Sequence, residues 1–231
     1  MMSTRSTARR RTAAAPPLHP VYRALYRAWG PQHWWPGRTR LEVVVGAVLT
    51  QNTAWGNVEQ AIARLRRARA LSLDRLHAAP LVQLADWIRP AGYFRVKARR
   101  LRALTTMIAS RHGSLPRLLR LDTDTLRAEL LKVNGVGPET ADSILLYAAG
   151  RPVFVVDAYT RRFMTRHGWL DPRAPYDDTV RVFTGSLPRD SKLFNEFHAL
   201  IVRLGKTHCR TSPRCEGCPL ARWLPRGGPR A

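Results

Sequence analysis

Apolar residues recur at helical spacing through most of the chain. Val21, Leu25 and Trp29 stand four apart, which predicts a short amphipathic helix over 19–29 closed by Gly30. The stretch LEVVVGAVL, residues 41–49, is apolar nearly all round, the pattern of a helix buried on every side. The polar break Thr50-Gln51-Asn52-Thr53 follows, with Asn52 or Thr53 as candidate N-cap of a helix over 54–67. Two short helices split by Pro80 are expected at 73–79 and 81–88. A longer one over 93–112 carries Lys97, Arg99, Arg100 and Arg102. A further helix over 123–133 has Asp122 or Thr123 as its cap. Gly135-Val136-Gly137 then forms a hairpin, and Pro138 opens the next helix, where its missing N–H costs nothing. Val153 to Val156 has the β-branching of a strand but no second strand to pair with, so it reads as a buried extended or helical segment. Asp157 caps a helix over 158–167, and helical pattern continues to about 205 with turns near Pro172 and Pro188. The fold class is all-α, with no internal repeat.

Composition adds a partner to this picture. The chain has 231 residues, 45% of them apolar, so it is long enough for one large or two small packed domains. Lys and Arg number 39 against 16 Asp and Glu, a formal charge of +23 that points to a polyanion. Only four of the basic residues are lysines (Lys97, Lys132, Lys192, Lys206), so an arginine-rich compositional bias contributes to that charge. No apolar run reaches the length of a membrane span, and the N-terminus lacks the apolar core of a secretory signal. A cytoplasmic, nucleoid-associated protein with no membrane partner is the expectation. Residues 1–17 are rich in Arg, Ala, Ser and Thr without an acidic residue, the composition of a disordered basic tail.

Three places carry candidate chemistry. The glycines of the hairpin let a polyanion approach backbone N–H groups at a helix N-terminus, and Lys132 lies just before them. About twenty residues on, Asp157 follows apolar Val155 and Val156, which strip water from it. Trp34 and Trp35 stand side by side in a loop fenced by Pro31, Pro36 and Gly37, and adjacent side chains cannot both face one core. Aromatic rings on a rigid loop stack on bases. The cysteines, Cys209, Cys215 and Cys218, form an odd and clustered set, better suited to a metal or cluster than to disulfides.

Five segments in order carry a resemblance: GAVLTQNTAW (46–55), IRPAGYFRVKARRL (88–101), LLKVNGVGPETA (130–141), VVDAYTRR (155–162) and CRTSPRCEGCPL (209–220). From Leu41 to about Val202 the chain resembles the helix-hairpin-helix DNA glycosylases of the endonuclease III type. The resemblance implies two helical domains flanking a DNA-binding cleft. The central one spans about 40–156 and the second combines 18–39 with 157–222. It also implies a monomer acting on double-stranded DNA that contains a damaged base. Asp157 would be the essential carboxylate, Gly135, Val136, Gly137 and Lys132 the grip on the DNA backbone, and Gln51 and Asn52 the wedge that fills the gap left by an extruded base.

One departure bears on mechanism. Bifunctional members place a lysine two residues after the last hairpin glycine, and its amine attacks the sugar. This chain has Glu139 there, which cannot form a Schiff base. The LTQNT-aromatic and WWP segments look like the 3-methyladenine branch, which places Trp34, Trp35 and Trp55 around the flipped base, with Trp35 and Trp55 flanking it. The expected function is therefore a monofunctional glycosylase that excises alkylated purines in base excision repair. An endonuclease III-like glycosylase and AP lyase on oxidised pyrimidines, and a non-catalytic binder of damaged DNA, are the alternatives. The resemblance further implies a 4Fe-4S cluster on the cysteines. Here the spacing is C-x5-C-x2-C and the fourth position falls on Leu224, whereas four thiolates are the usual requirement. A zinc site completed by distant His198 and a metal-free remnant remain open beside it.

Overall fold

The computed structural model describes residues 15–34 and 37–230. Most of the expected basic tail, residues 1–14, lies outside them. No strand occurs among the described residues, and twelve α-helices carry the fold, as an all-α chain requires. They are α1 (Leu18–Trp29), α2 (Arg40–Leu49), α3 (Trp55–Arg67), α4 (Leu73–Ala78), α5 (Leu81–Trp87), α6 (Phe94–Met107), α7 (Leu115–Leu119), α8 (Thr123–Leu131), α9 (Pro138–Ser143), α10 (Ala158–Arg166), α11 (Tyr176–Ser186) and α12 (Ser191–Thr207). None is long and apolar enough to cross a membrane.

Helix α2 sits in the middle. Val43 to Val45, Val48 and Leu49 are all at most 2% exposed, because α3, α6 and the wide turn after α9 close over it. Its one buried charge, Glu42, is answered by a bidentate Arg66 from α3 and by the Arg38 N–H. Lys97 of α6 is also fully buried. Its ammonium donates to the Leu49 and Ala91 carbonyls at 2.9 and 2.7 Å, which staples the end of α2 to the 89–91 turn. Burial, helped by the charge of Arg100, pushes the Lys97 amine down to about 8.

Helices α6 and α9 both loosen into wide π-turns, over Ile108–His112 and Ile144–Ala148. The second delivers Tyr147 inward. Residues 150–156 run without regular structure and bury Phe154, Val155 and Val156. The Phe154 ring stacks on Phe183 of α11 at 3.8 Å and meets Phe194 and Phe197 of α12 edge-on, which makes an aromatic part of the one buried core. Arg127 of α8 bridges Asp142 of α9 and Asp177 of α11, both at 2.7 Å, and ties these three helices together.

One local expectation is corrected. Neither Asn52 nor Thr53 caps α3, whose N-cap is Ala54 with no side-chain bond. Asn52 turns the loop through a left-handed conformation (φ 51°), and the Thr53 hydroxyl instead accepts from the Asn57 amide at 3.1 Å. Asp122 does cap α8, accepting from the Thr125 N–H.

Candidate active site

The hairpin lies between α8 and α9. Gly135 takes φ +84°, a region only glycine enters freely, and the Arg100 side chain crosses where its Cβ would stand, 2.3 Å from Cγ. Val136 is buried and its N–H returns to the Val133 carbonyl, so it anchors the turn. Gly137 is exposed, extended, and open on the side its missing Cβ would occupy. With the unpaired N–H groups that start α9 behind it, this is an anion-accepting surface. Lys132 is exposed beside it, paired at 2.7 Å with Glu129.

Asp157 is the N-cap of α10. Its Oδ1 accepts from the Thr160 N–H at 2.7 Å. Its Oδ2 lies 3.6 Å from Nε2 of His198, on α12. The carboxylate is 14% exposed. Burial alone pushes its pKa up; the neighbouring His198 and the Thr160 N–H outweigh that and hold the carboxyl below its usual range. Glu139, on the first turn of α9, is a solvent-exposed residue in a protein-dense neighbourhood, and desolvation first, then the charge of Asp157, raise its carboxyl above the ordinary value. Two carboxyls that feel each other's charge are thus driven in opposite directions, a pattern often met where acid–base chemistry is done.

On the α2 side, the ring of half-buried Trp55 packs over Gly46, 3.4 Å from where a Cβ would stand. Trp34 meets it at 6.2 Å between ring centres with a 41° tilt, and the Trp34 Nε1–H has no partner among the described residues. The loop bearing Trp34 is pinned before it by the Gln32 N–H on Glu196, and after it by the Arg38 N–H on Glu42. Trp35 lies outside the described residues.

A family model for the HhH-GPD superfamily base excision DNA repair protein matches residues 45–189, more than half of the chain, from the middle of α2 to just past α11. This chain is a DNA glycosylase of the HhH-GPD superfamily. The glycosylase is 46% identical over 205 residues to the Methanocaldococcus jannaschii protein named "Putative DNA repair glycosylase MJ1434", covering 88% of this chain and 93% of that one. It is 30% identical to the endonuclease III of Thermotoga maritima, over 76% of this chain and 78% of the relative. Among solved structures it is similar to the Helicobacter pylori 3-methyladenine DNA glycosylase MagIII bound to 1,N6-ethenoadenine, with a TM-score of 0.72 and 27% identity over 82% of this chain and 97% of that one.

The structure gives the glycosylase's Gln51 a different immediate neighbourhood from a free wedge. Its amide donates to the Gly135 carbonyl at 3.0 Å and the Thr140 hydroxyl at 2.9 Å, and its oxygen accepts from Arg100. Asn52 stays exposed at the loop tip. Tyr93, which pattern reasoning passed over, stands 72% exposed with φ 45°, on the turn that Lys97 staples beside this loop. A large aromatic held proud of the surface in a strained conformation is suited to enter a base stack. The only advance signal was its place after Gly92. The packing of His198 against Asp157 and of Tyr147 against His198 likewise had no signal in the sequence.

The cysteines share one small pocket with Arg166, His167 and Leu224. The space between them is about 20 Å³, room for one water and not for an iron–sulfur cube. Burial raises the Cys218 thiol above its ordinary value. Among the described residues no group of three or more His, Cys, Asp or Glu side chains is arranged to hold a metal ion. His198, the distant zinc-ligand candidate, is buried beside Asp157 instead. The three thiols and Leu224 therefore do not fit a 4Fe-4S cluster.

Proposed function

We propose that this glycosylase is monofunctional and excises alkylated purines from double-stranded DNA. The observation that carries the reading is the pair of groups in the cleft: an ionised, nearly dry Asp157 with a carboxyl, Glu139, where the family resemblance expects an amine. Lys97 has a lowered pKa, but its ammonium is spent on two carbonyls in the core, and Lys132 sits on the outer face before the hairpin. No lysine on the described residues offers an amine beside Asp157 for a Schiff base.

The chemistry suits the residues. A purine alkylated on a ring nitrogen is cationic and leaves with the C1′–N bonding pair, without a general acid. Aromatic faces attract such a cation by about 0.5–2 kcal/mol per contact, and Trp34 and Trp55 supply them. The sugar then carries positive charge, which the fixed Asp157 carboxylate stabilises best where water is excluded. Water adds at C1′ and gives up its proton, with Glu139 as the proposed acceptor. The hairpin and Lys132 hold the phosphates on either side without reading sequence. The similarity to MagIII supports the choice of base over an oxidised pyrimidine.

The test is single-turnover release of free base from duplexes carrying one 3-methyladenine or 7-methylguanine, with borohydride added in parallel. Base release without a trapped covalent adduct is expected. A trapped adduct supports the lyase reading, and binding without release supports a non-catalytic one.

A further inference from the structure

We propose that His198 is the positioning residue of the catalytic carboxylate, its Nε2–H held on Oδ2 of Asp157 while the Tyr147 hydroxyl fixes the tautomer from the other side of the ring. The inference rests on the reading of Asp157 as catalytic and goes beyond it.

His198 projects from α12, the helix that closes the back of the site. Its side chain is 7% exposed. Nδ1 lies 2.6 Å from the Tyr147 hydroxyl. Nε2 has no hydrogen-bond partner, and the acceptor it faces is Asp157 Oδ2, at 3.6 Å. That separation is too long for a finished hydrogen bond, and bonds of this kind tighten when a substrate closes the site. The tyrosine decides which nitrogen carries the proton. Burial raises Tyr147 far above its ordinary value, so it stays a phenol. With its O–H donated to Nδ1, the neutral imidazole must carry its proton on Nε2, facing Asp157. Oδ1 is already fixed by the Thr160 N–H, so the second oxygen is the one left to hold.

A neutral donor has a specific advantage here. It orients the carboxylate without cancelling the charge that stabilises the sugar cation. A lysine or arginine at this place would neutralise that charge permanently. The titratable groups facing the ring are Asp157 from the turn before α10, Tyr147 from the turn after α9, and Glu139 from α9 at longer range. Phe154 covers another face at 6.4 Å. Tyr22 of α1 and Tyr159 of α10 meet α12 elsewhere, at Phe197 and Gly205.

The experiment measures single-turnover base release from an alkylated duplex at neutral pH. His198→Phe keeps the ring shape and removes both nitrogens. Its rate is expected to fall roughly a hundredfold, the loss a misplacement of about 1 Å produces, with DNA affinity retained. His198→Gln places an amide N–H near the Nε2 position. It should recover most of the wild-type rate, a rescue by the conservative variant that a purely structural role would not give. Tyr147→Phe, which leaves the tautomer free, should lower the rate with DNA affinity retained. If His198→Phe fails to fold, the Gln and Tyr147→Phe rates decide. A Gln variant that does not recover most of the wild-type rate, or a Phe variant with the wild-type rate, overturns the proposal. Asp157→Asn is run alongside. An active Asn variant removes the premise itself, whereas an inactive one with wild-type-like His198 variants sinks only the positioning role.

Discussion

Gln51→Ala separates two roles for one residue. As a wedge, the side chain matters only when DNA is bound. In the structure it braces the free protein: its amide donates to the Gly135 carbonyl and the Thr140 hydroxyl, and its oxygen accepts from the Arg100 guanidinium that lies across Gly135. A neutral hydrogen bond contributes about 1 kcal/mol net and one to a charged group about 1.5–3 kcal/mol. Gln51 is half-buried, so water replaces part of what is lost, and about 2 kcal/mol is the reasonable total. In a chain of this size that lowers Tm by roughly 4–8 °C. The assay is a thermal melt of the DNA-free protein, with base release and duplex affinity measured on the same preparation. Affinity should fall as well, because the hairpin's glycine carbonyl loses its anchor. A variant that melts with the wild type yet flips bases slowly would refute the brace and leave the wedge.

Other expectations follow from the same geometry. Asp157→Asn keeps an N-cap acceptor, so it should fold and bind DNA while base release is abolished, and an active variant would remove the central assignment. Glu139 has a raised folded-state pKa. The stability this confers is complete below the unfolded pKa and is lost as pH rises through the folded one. Glu139→Gln should therefore melt higher than the wild type at neutral pH and match it in acid, as paired melts at the two pH values would show. Glu139→Lys should yield a borohydride-trappable adduct that the parent lacks, and its absence would count against the position of Glu139 beside the sugar. Anaerobically purified protein should be colourless and free of stoichiometric iron. A brown, iron-loaded protein would overturn the reading of the cysteine pocket.

The helices were legible because their signals are local. Apolar spacing set α1 and α2, Pro80 divided α4 from α5, and Asp122 and Asp157 supplied caps at the places their residue type favours. The cap expected for α3 failed because Asn52 took a left-handed turn that pattern cannot announce. The part of the candidate site from the hairpin to Asp157 could be named from the sequence since it is nearly continuous there, whereas the residues the structure packs against Asp157 could not. His198 reaches Asp157 from 41 positions away, and Tyr147 faces inward because a π-turn changes the helical phase. A lone histidine on an apolar helix face gives no sign of what packs against it. The cysteine loop left a cluster, a zinc site and a metal-free remnant open, since spacing alone cannot show that Leu224 and a space for one water close the pocket.

Glu139 and His198 are where the proposed site gives up stability. Glu139 is held with a raised pKa, and His198 keeps an unpartnered nitrogen inside the protein. Buried charges elsewhere are answered: Glu42 has Arg66, Asp142 has Arg127, and Lys97 has two carbonyls. Asp157 is stabilised as the anion, because His198 and the Thr160 N–H hold its pKa below the ordinary value. As N-cap it accepts from Thr160 with one oxygen, which fixes its direction through the fold itself. In the proposed mechanism the second oxygen is left for the sugar cation and for His198. Fold and chemistry would then share a residue, and the positional accuracy the proposed reaction requires would come from α10 rather than from a flexible loop.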